Sequence, residues 1–139
     1  MAQNIREVMT SDPRTVQASD SVANAAKIMR EEDVGPVIVV DDGQVCGIVT
    51  DRDIAVRAVA EGRDPQQTTV GEICSRDVAT LSPDQTVEEA IQLVREKNIR
   101  RVPVVDGGQP VGIVSLGDLA VERDPDSALA DISAATPNQ

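Results

Sequence analysis

Two seven-residue segments hold the groups in this chain most able to do chemistry: Gly47-Ile48-Val49-Thr50-Asp51-Arg52-Asp53 and Gly112-Ile113-Val114-Ser115-Leu116-Gly117-Asp118. Each is an apolar run that follows a glycine and ends in a hydroxyl, with a carboxylate three residues further on. At the start of a helix that spacing makes a cap, with the hydroxyl accepting from a free backbone N–H and the carboxylate opposing the helix dipole. Paired carboxylates can also move protons, yet no nucleophile–base pair can be named beside them. The chain has no His, which excludes Ser–His and Cys–His catalysis and any His-based metal site. Cys46 and Cys74 lack CxxC spacing and read as buried, inert thiols. An enzyme is the least expected class, and neither a metal site nor a catalytic cofactor is expected.

Composition narrows the partners further. A formal charge of −11 argues against affinity for a nucleic-acid backbone, and the absence of Phe, Tyr and Trp leaves no rings on which bases can stack. No apolar run is long enough to span a bilayer, and Met1–Glu7 lacks the apolar stretch of a signal peptide. The expected address is cytoplasmic, with no nucleic-acid or membrane partner.

The two segments belong to a duplication. Residues 5–54 lie over residues 70–119 at an offset of 65 without a gap, with 17 identities in 50 positions. Within each copy the hydrophobic period changes in the same order. Val22, Ala25, Ala26 and Met29 recur at helical spacing, as do Val87, Ala90, Ile91 and Val94. Thr86-Val87-Glu88-Glu89 has the form of a capping box. A hairpin follows, 37–40 with 45–49 and 102–105 with 111–114, joined by Asp41-Asp42-Gly43-Gln44 and Asp106-Gly107-Gly108-Gln109. Gly43, Gly47, Gly108 and Gly112 read as turn and close-packing glycines, since no phosphate-loop pattern surrounds them. A short helix then begins near Asp53 and Asp118, and in the first copy it is expected to run to Glu61 and stop at Gly62.

A short strand at 15–16 and at 80–81 completes each copy as β-α-β-β-α. The expected fold is α+β, two such repeats packed sheet to sheet about a pseudo-two-fold axis. The first repeat spans 1–62, a linker 63–69, the second repeat 70–123, and 124–139 forms a tail expected to be partly disordered.

Placed at the strand-to-helix junctions of a tandem repeat, the two segments resemble the signature of the cystathionine beta-synthase (CBS) domain family, and the pair is similar to a Bateman module. The resemblance covers residues 5–120. The stretch from Thr50 to Pro65 is similar to small stand-alone bacterial CBS-pair proteins, some of which are stress-response proteins. The resemblance implies a regulatory module that binds an adenosine compound (AMP, ADP, ATP, NAD or S-adenosylmethionine) in the cleft between repeats. With no attached enzyme or transporter domain, it would act on a partner in trans and form a homodimer through the Val/Ala-rich faces of its short helices (Ile54, Val56 and Val59; Leu119 and Val121). A docking module with degenerate clefts is the alternative.

The resemblance also assigns residues. Asp53 and Asp118 would accept from ribose hydroxyls, and Thr50 and Ser115 would bond ribose or phosphate. Gly35, Pro36 and Val37, with Arg101, Val102 and Pro103, would read the base edge through their backbone. Chain near Thr10–Arg14 and from Ser75 to Ala79 would close the pocket, with Thr10, Arg14 and Ser75 as ligand contacts. A charge of −11 repels a nucleotide unless local cations outweigh it. Arg100 and Arg101 supply such cations in the second repeat. The first has Gly35-Pro36 there, with Arg52 or Arg14 as substitutes, so the cleft of Ser115 and Asp118 is expected to be the better nucleotide site and that of Thr50 and Asp53 to be weak, vacant or specific for a less charged ligand.

Overall fold

The duplicated pattern folds twice into one series of elements. The computed structural model describes residues 4–76 and 78–123, with side chains to residue 120. The tail from Asp124 lies outside the described residues. The elements in chain order are α1 (Ile5–Val8), β1 (Thr10–Ser11), β2 (Thr15–Gln17), α2 (Val22–Glu32), β3 (Pro36–Asp41), β4 (Gln44–Thr50) and α3 (Asp51–Asp53). The last continues as a π-helix over Ile54–Val59. Then come α4 (Val70–Ile73), β5 (Ser75–Arg76), α5 (Val87–Lys97), β6 (Arg101–Asp106), β7 (Gln109–Ser115) and α6 (Leu116–Arg123). The fold is α+β, as the sequence pattern requires.

Local chemistry accounts for the boundaries. Ser21 and Thr86 cap α2 and α5, and Thr86 with Glu89 forms the full capping box read from the sequence. Both helices end in the left-handed region, at Asp33 (φ 56°) and Asn98 (φ 52°), where a short polar side chain replaces the usual glycine. The β3–β4 and β6–β7 hairpins turn at Asp42-Gly43 and Gly107-Gly108, with positive φ at both central residues of each, the turn that matches strand twist. A bulge opposite Val39–Val40 recurs opposite Val104–Val105. Gly62 stands at φ 71° just after the π-helix, so the expected stop is present although the helix before it is wider than α.

The spatial units cut the chain differently from the repeats. One unit comprises Pro13–Val78; the other combines Met1–Asp12 with the chain from Ala79 onward. We call them the central and terminal units. In the central unit the sheet order is β2-β3-β4-β5, with β2 parallel to β3 and the rest antiparallel. In the terminal unit it is β1-β7-β6, extended past β6 by a parallel bridge between Leu81 and Val104. Thus α1–β1, at the start of the first repeat, joins the sheet of the second, and α4–β5, at the start of the second, joins the sheet of the first. The 63–69 segment is not a free tether: Val22 N donates to Thr68 O and Ala23 N to Pro65 O, which satisfies the first turn of α2, and Thr68 is buried.

Each unit has its own apolar core. Val16, Val22, Ala25, Val37, Val39, Val49, Val70 and Ile73 fill the central one; Ile5, Leu81, Val87, Ala90, Val102, Val104, Val114 and Leu119 fill the terminal one. Two expectations change here. Ala26, read as part of the buried helix face, is exposed, because the stripe on α2 narrows to Val22, Ala25, Ile28 and Met29. Cys74 is buried, as expected, but Cys46 is only half-buried at the edge of the same core. Burial pushes the Cys74 thiol up from its ordinary value.

Two predictions follow from this packing. A Cβ on Gly47 would overlap the backbone carbonyl oxygen of Ser75, whereas on Gly112 it would first meet the thioether of Met9, which can move. Gly47→Ala should therefore lower stability by about 1–3 kcal/mol, and Gly112→Ala by less, read from urea midpoints at constant slope. Equal losses would show that the crossing strand shifts freely. The carboxylate of Glu72 accepts from the Thr69 N–H (2.7 Å) and hydroxyl (3.0 Å) and from Arg63 (2.6 Å), which holds its pKa below the ordinary 4.5. A depressed carboxylate stabilises the fold above its unfolded value and loses that contribution as pH falls through the folded one. Melting temperature should thus fall on acidification below about pH 4.5, and less steeply in Glu72→Gln.

Candidate functional site

In the central unit, β4 delivers Thr50 to the N-terminus of α3. The Thr50 N–H donates to Asp53 Oδ2 (2.9 Å) and the Asp53 N–H donates to Thr50 Oγ1 (3.2 Å), a reciprocal cap. The second carboxylate oxygen, Asp53 Oδ1, lies 3.8 Å from Arg57 Nε one turn on, and Arg57 Nη1 donates to the carbonyl of Ile73 (3.0 Å). Pro36 stands opposite Thr50 in the ladder, and the Asp51 N–H donates to the Gly35 carbonyl (3.3 Å). Gly35, Pro36, Val37, Thr50 and Asp53 therefore meet at one end of one hairpin.

The terminal unit repeats this arrangement with other side chains. The Ser115 N–H donates to Asp118 Oδ2 (2.9 Å) and the Asp118 N–H to Ser115 Oγ (3.0 Å). Arg101 stands opposite Ser115, and the Leu116 N–H donates to the Arg100 carbonyl (2.7 Å). Arg100 and Arg101 are exposed and make no ion pair among the described residues, so neither answers Glu96. Asp118 is half-buried, and its second oxygen has no partner among the described residues. Val102 and Pro103 follow Arg101 into the strand as buried residues.

Both motifs thus form the helix cap that their spacing allows. The cap does not exhaust them, because a carboxylate offers about four acceptor sites and the cap uses one oxygen. What remains is an acceptor beside a hydroxyl, and in the terminal unit the backbone of two exposed arginines, Arg100 and Arg101, meets the same junction. A carboxylate so placed can accept from a vicinal diol, and the arginines can hold an anion.

The remaining predicted residues fall with one or other hairpin. Thr10 pairs with Ile113, two residues before Ser115, and Ser75 pairs with Ile48, two residues before Thr50. The chain exchange seen in the fold carries them there. Arg14 gives its carbonyl to the Ile38 N–H, while its guanidinium is held by Glu32 at 2.7 Å. Sequence reasoning missed Asp51 and Arg57. At the offset of 65, Asp51 lies over Leu116 and Arg57 over Glu122, a difference visible in the alignment but without meaning until the caps are built. Among the described residues no group of three or more His, Cys, Asp or Glu is placed to hold a metal ion, and no helix is long and apolar enough to cross a membrane.

Comparison with known proteins gives the same outline. The family model of the CBS domain matches residues 5–59 and 70–123. The CBS domain-containing protein YhcV of Bacillus subtilis is 41% identical over 134 residues, covering 94% of this chain and 95% of the relative. The crystal structure of Hypoxic Response Protein I with two coordinated zinc ions superposes with a TM-score of 0.76 at 31% identity, covering 84% of this chain and 96% of that one. A hexameric CBS-CP12 protein from bloom-forming cyanobacteria gives 0.77 at 33% identity, covering 89% and 74%.

Because the hydroxyl half of each cap accepts a backbone N–H, Ser115→Ala should cost about 0.5–2 kcal/mol of stability. Asp118→Asn, whose amide oxygen can still accept from Ser115 N–H, should cost less. Chemical denaturation of the three proteins reads the order directly; a reversed order would show that the carboxylate charge, not the hydroxyl, holds the junction.

Proposed function

The chain belongs to the CBS-domain family, whose paired domains are regulatory and typically bind ligands, and we propose that it is an adenosine-compound sensor acting on a partner in trans. The observation that carries this reading is the junction of the terminal unit. There a half-buried carboxylate, Asp118, keeps one oxygen without a partner among the described residues beside Ser115, at a junction that also carries Arg100 and Arg101, exposed and without an ion pair among those residues. A ribose diol donates to Asp118, while the 5′-phosphate of AMP, ADP or ATP meets Arg100 and Arg101. Val102, Pro103 and Thr10 border the same hairpin end. Thr50, Asp53, Gly35, Pro36, Val37 and Ser75 form the corresponding set of the central unit, with the backbone of Arg14 beside Ile38. The protein is regulatory rather than catalytic in this reading, cytoplasmic, and without a nucleic-acid or membrane partner.

Self-association is part of the proposal. Val56 (48% exposed) and Val59 (64%) stand out from the π-helix, and Leu116 (36%) from the start of α6. These are the apolar positions offered to a second copy in a homodimer. Leu119, expected on that face, is instead buried in the core of the terminal unit, and Ile54 packs against the other core. The Val121 side chain lies outside the described residues. The name of the hypoxic-response relative supports a role under stress.

The chain lacks aromatic residues, so a bound adenine reveals itself by its own ultraviolet band. Gently purified protein should carry that band, and mass spectrometry of the released material should resolve it to one adenine compound. At the terminal-unit site, Asp118→Ala should weaken AMP and adenosine by about tenfold or more, the loss of two charge-assisted hydrogen bonds. Replacing Arg100 and Arg101 together by Ala should weaken AMP by a similar factor and leave adenosine nearly unchanged. Equal losses for both ligands would assign the arginines to structure. No binding of AMP, ATP, NAD or S-adenosylmethionine would leave the docking-module alternative. Val59→Glu should shift the sedimentation coefficient toward the monomer.

A further inference from the structure

The two hairpin ends are built alike but charged differently at one point. Where β6 begins, the terminal unit has Arg100 and Arg101; where β3 begins, the central unit has Gly35 and Pro36. In the terminal unit the residue after the cap hydroxyl is Leu116, which is neutral. In the central unit it is Asp51, whose carboxylate comes close to Gly35: a Cβ on Gly35 would stand 3.5 Å from Asp51 Oδ1. The Asp51 backbone is fixed there by its hydrogen bond to the Gly35 carbonyl, and its Oδ1 accepts from the Arg52 N–H at 3.0 Å. A carboxylate thus borders the place where the other unit offers guanidinium groups.

The arginines of the central unit that are already held by neighbours do not reverse this. Arg14 is paired with Glu32, Arg57 with Asp53 and the Ile73 carbonyl, Arg63 with Glu72, and Arg76 donates to the Gly71 carbonyl at 3.2 Å. Arg52 is exposed and sits between Asp51 and Asp53 in the chain, so those three residues together carry one negative charge. An anion brought to Gly35 meets Asp51 first, and like charges at such range are costly.

We infer that Asp51 makes the central-unit site select an adenosyl ligand with no phosphate, uncharged or cationic, so that the two sites of one chain sort adenosine compounds by charge. This rests on the adenosine reading above and names the ligand class of its second site. The diol acceptor, Asp53, is common to both sites; the discriminating residue is Asp51, acting at the position that Leu116 occupies in the other.

The test uses the full chain and two probes, adenosine and AMP, by equilibrium dialysis. Asp118→Asn serves as the background, since it removes the carboxylate acceptor of the terminal site and keeps an acceptor for its cap. In that background adenosine should bind about tenfold more tightly than AMP. Adding Asp51→Leu should reduce the preference by about fivefold or more, and Asp51→Leu with Gly35→Arg should reverse it. Asp51→Asn, which keeps shape and removes charge, should act like Asp51→Leu; a merely structural Asp51 would move both probes together. Equal binding of both probes in the Asp118→Asn chain, binding of neither while the unsubstituted chain binds AMP, or a preference untouched by Asp51→Leu each overturns the inference and leaves the adenosine reading standing. If the unsubstituted chain binds neither probe, the adenosine reading falls and this inference with it.

Discussion

A carbonyl oxygen stands where a side chain on Gly47 would begin. That close approach of β5 to β4 lets the chain after the linker turn back into the sheet of the repeat before it, and the approach of β1 to β7 at Gly112 does the same in the other unit. Any residue larger than glycine at position 47 would push the Ser75 backbone away from the ladder. Much follows from the contact. It brings α4 onto the central core through Val70 and Ile73, gives Arg57 a carbonyl to hold, and sets Ser75 beside the strand that ends in Thr50. Each compact unit is therefore assembled from both halves of the duplication.

The strand-to-helix junction is the second constraint, and it joins stability to function. A helix start leaves backbone N–H groups without partners, and Thr50 and Ser115 satisfy one each with their hydroxyls while Asp53 and Asp118 reach back to the strand. The same reciprocal bonds lock the rotamer of each carboxylate. A locked acceptor is already oriented toward a ligand, so less conformational freedom is lost on binding. Structural capping and ligand binding are not competing accounts of these residues. One oxygen performs the first, and in Asp118 the other has no partner among the described residues and is available for the second.

The two junctions differ in how available that oxygen is. Asp53 shares its second oxygen with Arg57 on a π-helical turn, whereas in the other repeat the position one turn on is Glu122. With Asp51 near Gly35 on one side and Arg100 and Arg101 on the other, a symmetric backbone carries two unlike sites. Duplication supplies the geometry, and a few substitutions at equivalent points supply the difference.

Much of this was legible in the chain itself. The gapless offset, the helical spacing of Val22, Ala25 and Met29, the capping box at Thr86 and the glycine turns determine α2, α5 and the two hairpins, because these depend on residues a few positions apart; α1–β1 and α4–β5 were not read from the chain. The junction motifs were legible for the same reason. What no local pattern contained was which sheet α1–β1 and α4–β5 would join, whether Ala26 or Leu119 would face solvent, and that Arg14 would be taken by Glu32. Nor did spacing reveal that Asp51 would come close to Gly35, sixteen residues earlier in the chain. Those outcomes depend on contacts between residues distant in sequence, whose energies are set by which surfaces meet, and only the packed tertiary structure decides that.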